Sequence, residues 1–261
     1  MYFVFILGPA GSGKSYLTRS FCEWIRSHRM EAIAVNMDPA AEWLPYSPDV
    51  DIRDYITASD VMKKYNLGPN GGLIMSVDLS VNYIDKIREE IESYHPNYVI
   101  VDTPGQLEIF AFRAAGPTIV SSLIQGCKAV AVFLIDSYLA TKPSSFLSLI
   151  LLALSTSLRH GLPQIHVLSK ADVLSEEEIE RILGWIENPE SLTLELGKEE
   201  PIYTSQIDLA YAFETMIRSM FSQLIPVSAV TWEGLDQLYA EIQRHVAGGE
   251  DYLTEEPSEA L

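Results

Sequence analysis

Residues 8–15 read Gly-Pro-Ala-Gly-Ser-Gly-Lys-Ser, the pattern G-x-x-x-x-G-K-[ST], between an apolar run at 2–7 and a stretch with helical spacing at 14–27. A strand that turns through glycines into a helix aims consecutive backbone N–H groups and a helix N-terminus at one point, which suits a phosphate. Gly8, Gly11 and Gly13 let the backbone wrap the anion, with Ser12 and Tyr16 beside it. Lys14 is placed to reach the β- and γ-phosphates and the Ser15 hydroxyl to ligate Mg²⁺. The bland alternative is a glycine-rich turn with no ligand. The strand before it and the helix after it favour the phosphate site.

The rest of the chain fits the fold that such a loop needs. Apolar runs rich in β-branched and aromatic residues recur at 2–7, 32–35, 98–101, 129–135, 165–168 and 224–227. Helical spacing occupies 14–27, 59–65, 81–94, 143–159, 176–185, 208–222 and 232–246. Strands that are continuously apolar are covered on both faces, so this alternation predicts a mostly parallel sheet flanked by helices, an α/β fold of the P-loop NTPase kind with helical insertions. One domain over 1–247 is expected, followed by an acidic tail at 248–261. Two stretches interrupt the alternation and read as long loops: 36–57, with Pro39, Pro45 and Pro48, and 67–72, with one proline and three glycines.

Charge narrows the partners. With 36 Asp and Glu against 18 Lys and Arg, the formal net charge is -18, which repels phosphate backbones and anionic lipid, so no direct nucleic-acid or membrane binding is expected. The longest uncharged stretch, 143–158, is too short and too rich in Ser and Thr to span a bilayer and reads as a buried helix. The apolar start at 2–7 lacks the charged lead-in of an export signal. Cys22 and Cys127 form no C-x-x-C pair, which argues against a disulfide framework or a zinc site and for a reducing, cytoplasmic setting.

Two further strand ends carry carboxylates. Asp102-Thr103-Pro104-Gly105 follows the run 98–101, where a Walker-B aspartate that supports Mg²⁺ belongs. A strand-end Asp by itself is commonly a turn or cap residue. Beside the phosphate loop it gains a function: Gly105 can offer an N–H to a γ-phosphate, and Gln106 lies where a water-orienting amide is useful. Ser169-Lys170-Ala171-Asp172 follows 165–168 and resembles the [N/T]-K-x-D element by which GTPases choose guanine. The Asp172 carboxylate can accept from N1–H and N2–H₂ of guanine, a donor pair that adenine lacks, while the Lys170 stem packs over the ring. Ser169 departs from the usual Asn. Ser228-Ala229 resembles the short element that backs the base. Taken alone, Asp172 also reads as a helix cap.

Together with Leu67-Gly68-Pro69-Asn70-Gly71-Gly72, Asn36-Met37-Asp38-Pro39-Ala40 and Asp102 to Glu108, these ordered elements resemble the GPN-loop GTPases over most of the chain. The resemblance implies a compact, archaeal-type homodimer whose two sites face each other, with Asn70 reaching into the partner's site. It implies that Asp38, Gln106 and Glu108 surround the attacking water, and that Lys14 and Asn70 complete the catalytic set, with GTP as substrate and GDP as product. It also implies a protein client, RNA polymerase being one associated with the family. From its position alone, Asp38 reads as a cap or turn residue and Glu108 as a solvated helix residue.

Three other readings stand beside this one. A related dimeric ATPase in metal insertion or protein targeting conflicts with Asp172. A small-molecule kinase needs a basic lid, yet 114–158 holds only Lys128 and Lys142 as cations. An assembly factor that binds nucleotide with negligible turnover would carry the same residues. The five histidines show no ligand spacing and read as structural or surface, and Ser175 to Glu178 reads as an N-capped helix start.

Overall fold

The computed structural model describes residues 1–198, 214, 217, 221 and 223–247. Its centre is a sheet of seven strands in the order β3-β2-β4-β1-β5-β6-β7, and every pairing is parallel. The strands are β1 (Tyr2–Leu7), β2 (Ala32–Asn36), β3 (Val50–Asp51), β4 (Tyr98–Asp102), β5 (Lys128–Asp136), β6 (Gln164–Ser169) and β7 (Leu224–Val227). Alternation decides which face each side chain covers. Phe3, Phe5 and Leu7 of β1 point into one core layer and Val4 and Ile6 into the other. Helix α1 (Lys14–Ser27) sets Leu17, Phe21 and Ile25 one turn apart on the second layer, where α11 (Leu235–Val246) joins it through Leu238 and Ile242. Because β4 lies between β1 and β2, connections leave β1 and β4 in opposite directions along the sheet. The crevice at their C-terminal ends is the place where such folds bind ligands.

The opposite face carries the helices α4 (Ile84–Ser93), α5 (Leu107–Phe112), α6 (Ala115–Ile124), α8 (Pro143–His160) and α9 (Glu176–Glu187). The 143–158 stretch is the buried helix expected: Phe146, Leu147, Ile150, Ala153 and Leu154 of α8 lie in the core. No helix among the described residues is long and apolar enough to cross a membrane. Helix α9 begins with the capping box that its sequence predicts. Ser175 Oγ accepts from Glu178 N at 3.3 Å, and Glu178 Oε2 accepts from Ser175 N at 2.9 Å.

The structure corrects the two loop assignments. Residues 67–72 are not a free loop: Gly68 caps and Pro69 starts a helix, α3 (Pro69–Ser80), because a proline at the first helical position lacks only an N–H that has no intrahelical acceptor. Gly72 is buried against α2 (Ala58–Tyr65), where a Cβ would fall 3.3 Å from the Ala58 carbonyl oxygen. Within 36–57, Val50–Asp51 pairs with Val35–Asn36 and extends the sheet by one short edge strand. Helices α5, α6 and α10 (Pro189–Leu196) were not expected either; their runs are too short or too apolar to show a clean period. The predicted helix at 208–222 and the tail at 248–261 lie outside the described residues, apart from Glu214, Ile217 and Phe221.

The turn from α5 into α6 depends on Gly116. A Cβ there would run into the Phe110 carbonyl oxygen, backbone that cannot step aside. Gly116→Ala is therefore expected to cost about 3 kcal/mol through displacement of α6. Chemical denaturation of the two proteins checks this, and equal midpoints would contradict it.

Candidate nucleotide site

The loop after β1 is built as its glycines require. Gly11 and Gly13 sit at φ 78° and 94°, and Gly13 is the N-cap of α1. Ser12 is 1 % exposed, and its hydroxyl has no hydrogen-bond partner among the described residues. The Lys14 ammonium curls back into the loop and donates to the carbonyls of Gly8 at 2.8 Å and Pro9 at 3.0 Å. It donates also to the Gly105 carbonyl at 3.2 Å, across 91 residues of sequence. Burial pushes this ammonium below its usual range, while Asp102, Asp38 and Glu108, in falling order, pull it back up. A buried cation held by neutral carbonyls is poised to exchange them for anionic oxygens.

Asp38 meets the same glycine from the other side. Its Oδ2 accepts from Gly105 N at 2.9 Å and its Oδ1 from Ala40 N at 2.9 Å. Asn36 locks this turn, accepting from Asp38 N at 3.0 Å and donating to Asp51 Oδ1 at 2.8 Å. Arg53 holds Asp51 by Nη2 at 2.6 Å and ties back to the Ala41 carbonyl at 2.9 Å. The polar 36–57 segment is thus a braced wall of the site. Gln106 and Glu108 are exposed at the N-cap and first turn of α5.

Asp102 ends β4 fully buried. Burial drives its carboxyl from 3.8 up to about 6, against the lowering influence of hydrogen bonds from Ser15 and Tyr46 and of the Lys14 charge. Tyr46 donates to Oδ2 at 3.0 Å, whereas buried Oδ1 has no hydrogen-bond partner among the described residues. An orphaned carboxylate oxygen beside a serine hydroxyl is the hard-oxygen pair that suits Mg²⁺, which takes few protein ligands when phosphates supply others. No group of three His, Cys, Asp or Glu among the described residues could hold a metal by itself. His160 and His166 are held neutral by burial, with pKa values near 4 and 3.

A cavity of about 360 Å³ adjoins the loop, walled by Ser12, Gly13, Tyr16, Leu17, Ser169, Lys170, Asp172, Val227 and Ala229. Lys170 crosses above the phosphate loop, its Cε 3.7 Å from where a Gly13 Cβ would stand and its ammonium 2.6 Å from the Gly11 carbonyl oxygen. Asp172 is exposed at the rim, in the single turn Ala171–Val173. The Ser169 hydroxyl, where GTPases usually carry an amide, donates to the Ile135 carbonyl at 3.2 Å and so ties β6 to β5. Ser228 accepts from Val230 N at 3.1 Å and Thr231 N at 3.0 Å, and Ser20 of α1 holds the Ala229 carbonyl at 2.6 Å. These bonds fix the floor of the cavity.

Asn70 stands apart. It is exposed, none of the described residues hydrogen-bonds to its side chain, and it does not line the cavity. Two residues missed in the sequence do belong to the site: Tyr46, on Asp102, and Asp136, whose Oδ2 lies 2.6 Å from the Lys170 ammonium. Asp136 carries the same signal as Asp102, an acid that ends an apolar strand. Tyr46 carries none.

Sheet order, phosphate loop and adjoining cavity define a P-loop nucleoside triphosphatase. Residues 6–248 match the family described as "Conserved hypothetical ATP binding protein". The chain is 32% identical to GPN-loop GTPase 3 of Eremothecium gossypii over 99% of its own length and 96% of the relative's. It is 32% identical to GPN-loop GTPase 1 of Dictyostelium discoideum over 92% of its length but spans only 60% of that relative. Among solved structures, an apo GTPase of Pyrococcus abyssi, PAB0955, superposes with a TM-score of 0.80 at 31% identity, covering 94% of this chain and 97% of the other. The chain belongs to the GPN-loop GTPases, a family of P-loop GTP hydrolases.

Proposed function

We propose that this chain is a Mg²⁺-dependent GTPase that works as a homodimer, using hydrolysis of GTP to GDP and phosphate as a conformational switch for a protein client. The observation that carries the reading is the chain of contacts Lys14–Gly105–Asp38. It joins the phosphate loop, the D-x-x-G segment and the Asp-Pro-Ala turn at one glycine. A γ-phosphate arriving there competes for both the Lys14 ammonium and the Gly105 N–H, so the presence of that group is transmitted to both segments.

Ser15 and Asp102 would hold the metal, which when bound neutralises charge on the β- and γ-phosphates. Asp38 keeps both oxygens on backbone N–H groups, and this role is to orient rather than to take a proton. Gln106 and Glu108, exposed at the mouth, are free to line up the attacking water. Asn70 acts in trans: on its own protomer it faces outward, and from a partner its amide would stabilise charge on the transferring phosphoryl group. RNA polymerase, through family resemblance, is the client proposed, in a cytoplasmic setting.

Asn70→Ala should slow single-turnover GTP hydrolysis by roughly 10- to 100-fold, the loss of one preorganised donor, with GTP affinity little changed. Hydrolysis at the parental rate, or a monomer that hydrolyses GTP as fast as the dimer, would overturn the trans role. A second reading, ATP as the substrate, is favoured by the description of the matching family. Asp172 on the cavity rim opposes it.

A further inference from the structure

Lys170 is a long side chain with 41% of its surface exposed, yet it follows one path across the phosphate loop. Its backbone sits in the left-handed region, at φ 58°, which turns the side chain back over Gly13 towards Gly11. The loop supplies one carbonyl to the ammonium. The second anchor is Asp136, at the end of β5, paired in register with Ser169 on β6 and therefore next to the turn that carries Lys170. Asp136 uses both oxygens. Oδ2 meets Lys170 at 2.6 Å, and Oδ1 accepts from Leu139 N at 3.3 Å, capping the short helix α7 (Ser137–Ala140). Its side chain is only 11% exposed, so the carboxylate is itself held in place.

We propose that Asp136 is a positioning residue for the nucleotide: it holds Lys170 stretched over Gly11 and Gly13, so that the lysine stem already forms the wall of the base cavity when a nucleotide enters. It acts through Lys170 and does not touch the ligand. A flexible exposed lysine loses rotamer freedom when it packs on a base, and a pre-formed ion pair removes most of that loss before binding. The wall is common to both nucleotides, so GDP and GTP are affected alike. This inference rests on the reading of the cavity as a guanine site.

The test is a double-mutant cycle on release of a fluorescent GDP analogue, measured by stopped flow. Asp136→Asn and Asp136→Ser both keep an oxygen that can cap α7 while removing the negative charge that faces the Lys170 ammonium, so each separates the two bonds. Each should speed release about 5- to 10-fold, the scale of one lost preorganising contact. Lys170→Met should speed it at least as much, and adding Asp136→Asn to Lys170→Met should change it less than about twofold, because the second partner has no cation left to hold. Release at the wild-type rate in both Asp136 variants overturns the inference. Equal acceleration with and without Lys170 overturns it too, since Asp136 would then act through α7. A wild-type protein that binds no guanine nucleotide removes the cavity reading and this inference together.

Discussion

Lys14→Ala is expected to weaken GDP and GTP binding at least ~100-fold, since hydrogen bonds to a charged group are each worth about 1.5–3 kcal/mol and this ammonium can make more than one to phosphate. The nucleotide-free protein should tolerate the change well. In that state Lys14 is a buried charge, depressed by desolvation and satisfied by three carbonyls, so its removal discards a cost along with its bonds. Isothermal titration with GDP measures the first effect and thermal unfolding without nucleotide the second. Tight GDP binding by the variant would show that the loop does not hold the phosphates.

Asp102→Asn should separate stability from function at the same strand end. In the metal-free protein burial raises the Asp102 carboxyl from 3.8 to about 6, so the ionised form is disfavoured by folding. The sign follows from linkage. A carboxyl raised by folding contributes stability below about 4, and that contribution is lost as pH rises through about 6. The amide does not titrate. Whatever fixed offset it introduces, the stability difference should therefore move in favour of the variant by about 2 kcal/mol between pH 4 and pH 7.5. Denaturant unfolding of both nucleotide-free proteins across that range reads the shift, and a difference constant with pH would contradict the buried charge. At neutral pH the variant should also lose the tightening of nucleotide binding by Mg²⁺. A site that keeps an expensive carboxylate does so for a ligand that the amide cannot serve.

What could be read from the residues, and what could not, divides along physical lines. The core strands and α1, α8 and α9 were legible because burial writes itself as continuous or periodic apolar residues, and the capping box at Ser175 is a local pattern. The phosphate loop and Asp102 were legible because each lies directly at a strand end. Helix α3 was missed because a proline and three glycines read as a turn, although proline at a first helical position is favourable. The contacts that unite the site were beyond the sequence for another reason. Lys14 with Gly105, Gly105 with Asp38, and Tyr46 with Asp102 join residues 91, 67 and 56 positions apart, and only the sheet order brings them together. Asp136 was legible in principle: it ends its strand as Asp102 does, but no motif drew attention to it.

Competition between GTP and ATP for the Mg²⁺-supplied protein, followed by displacement of a fluorescent GDP analogue, shows whether the cavity selects guanine. GTP should displace the analogue at concentrations at least ~100-fold below those needed for ATP if Asp172 accepts from two donors of guanine as proposed, because adenine would leave that carboxylate unpaired. Displacement by ATP at equal or lower concentration would show that Asp172 does not select the base, and failure of the analogue to bind at all would show that the cavity is not a guanine-nucleotide site.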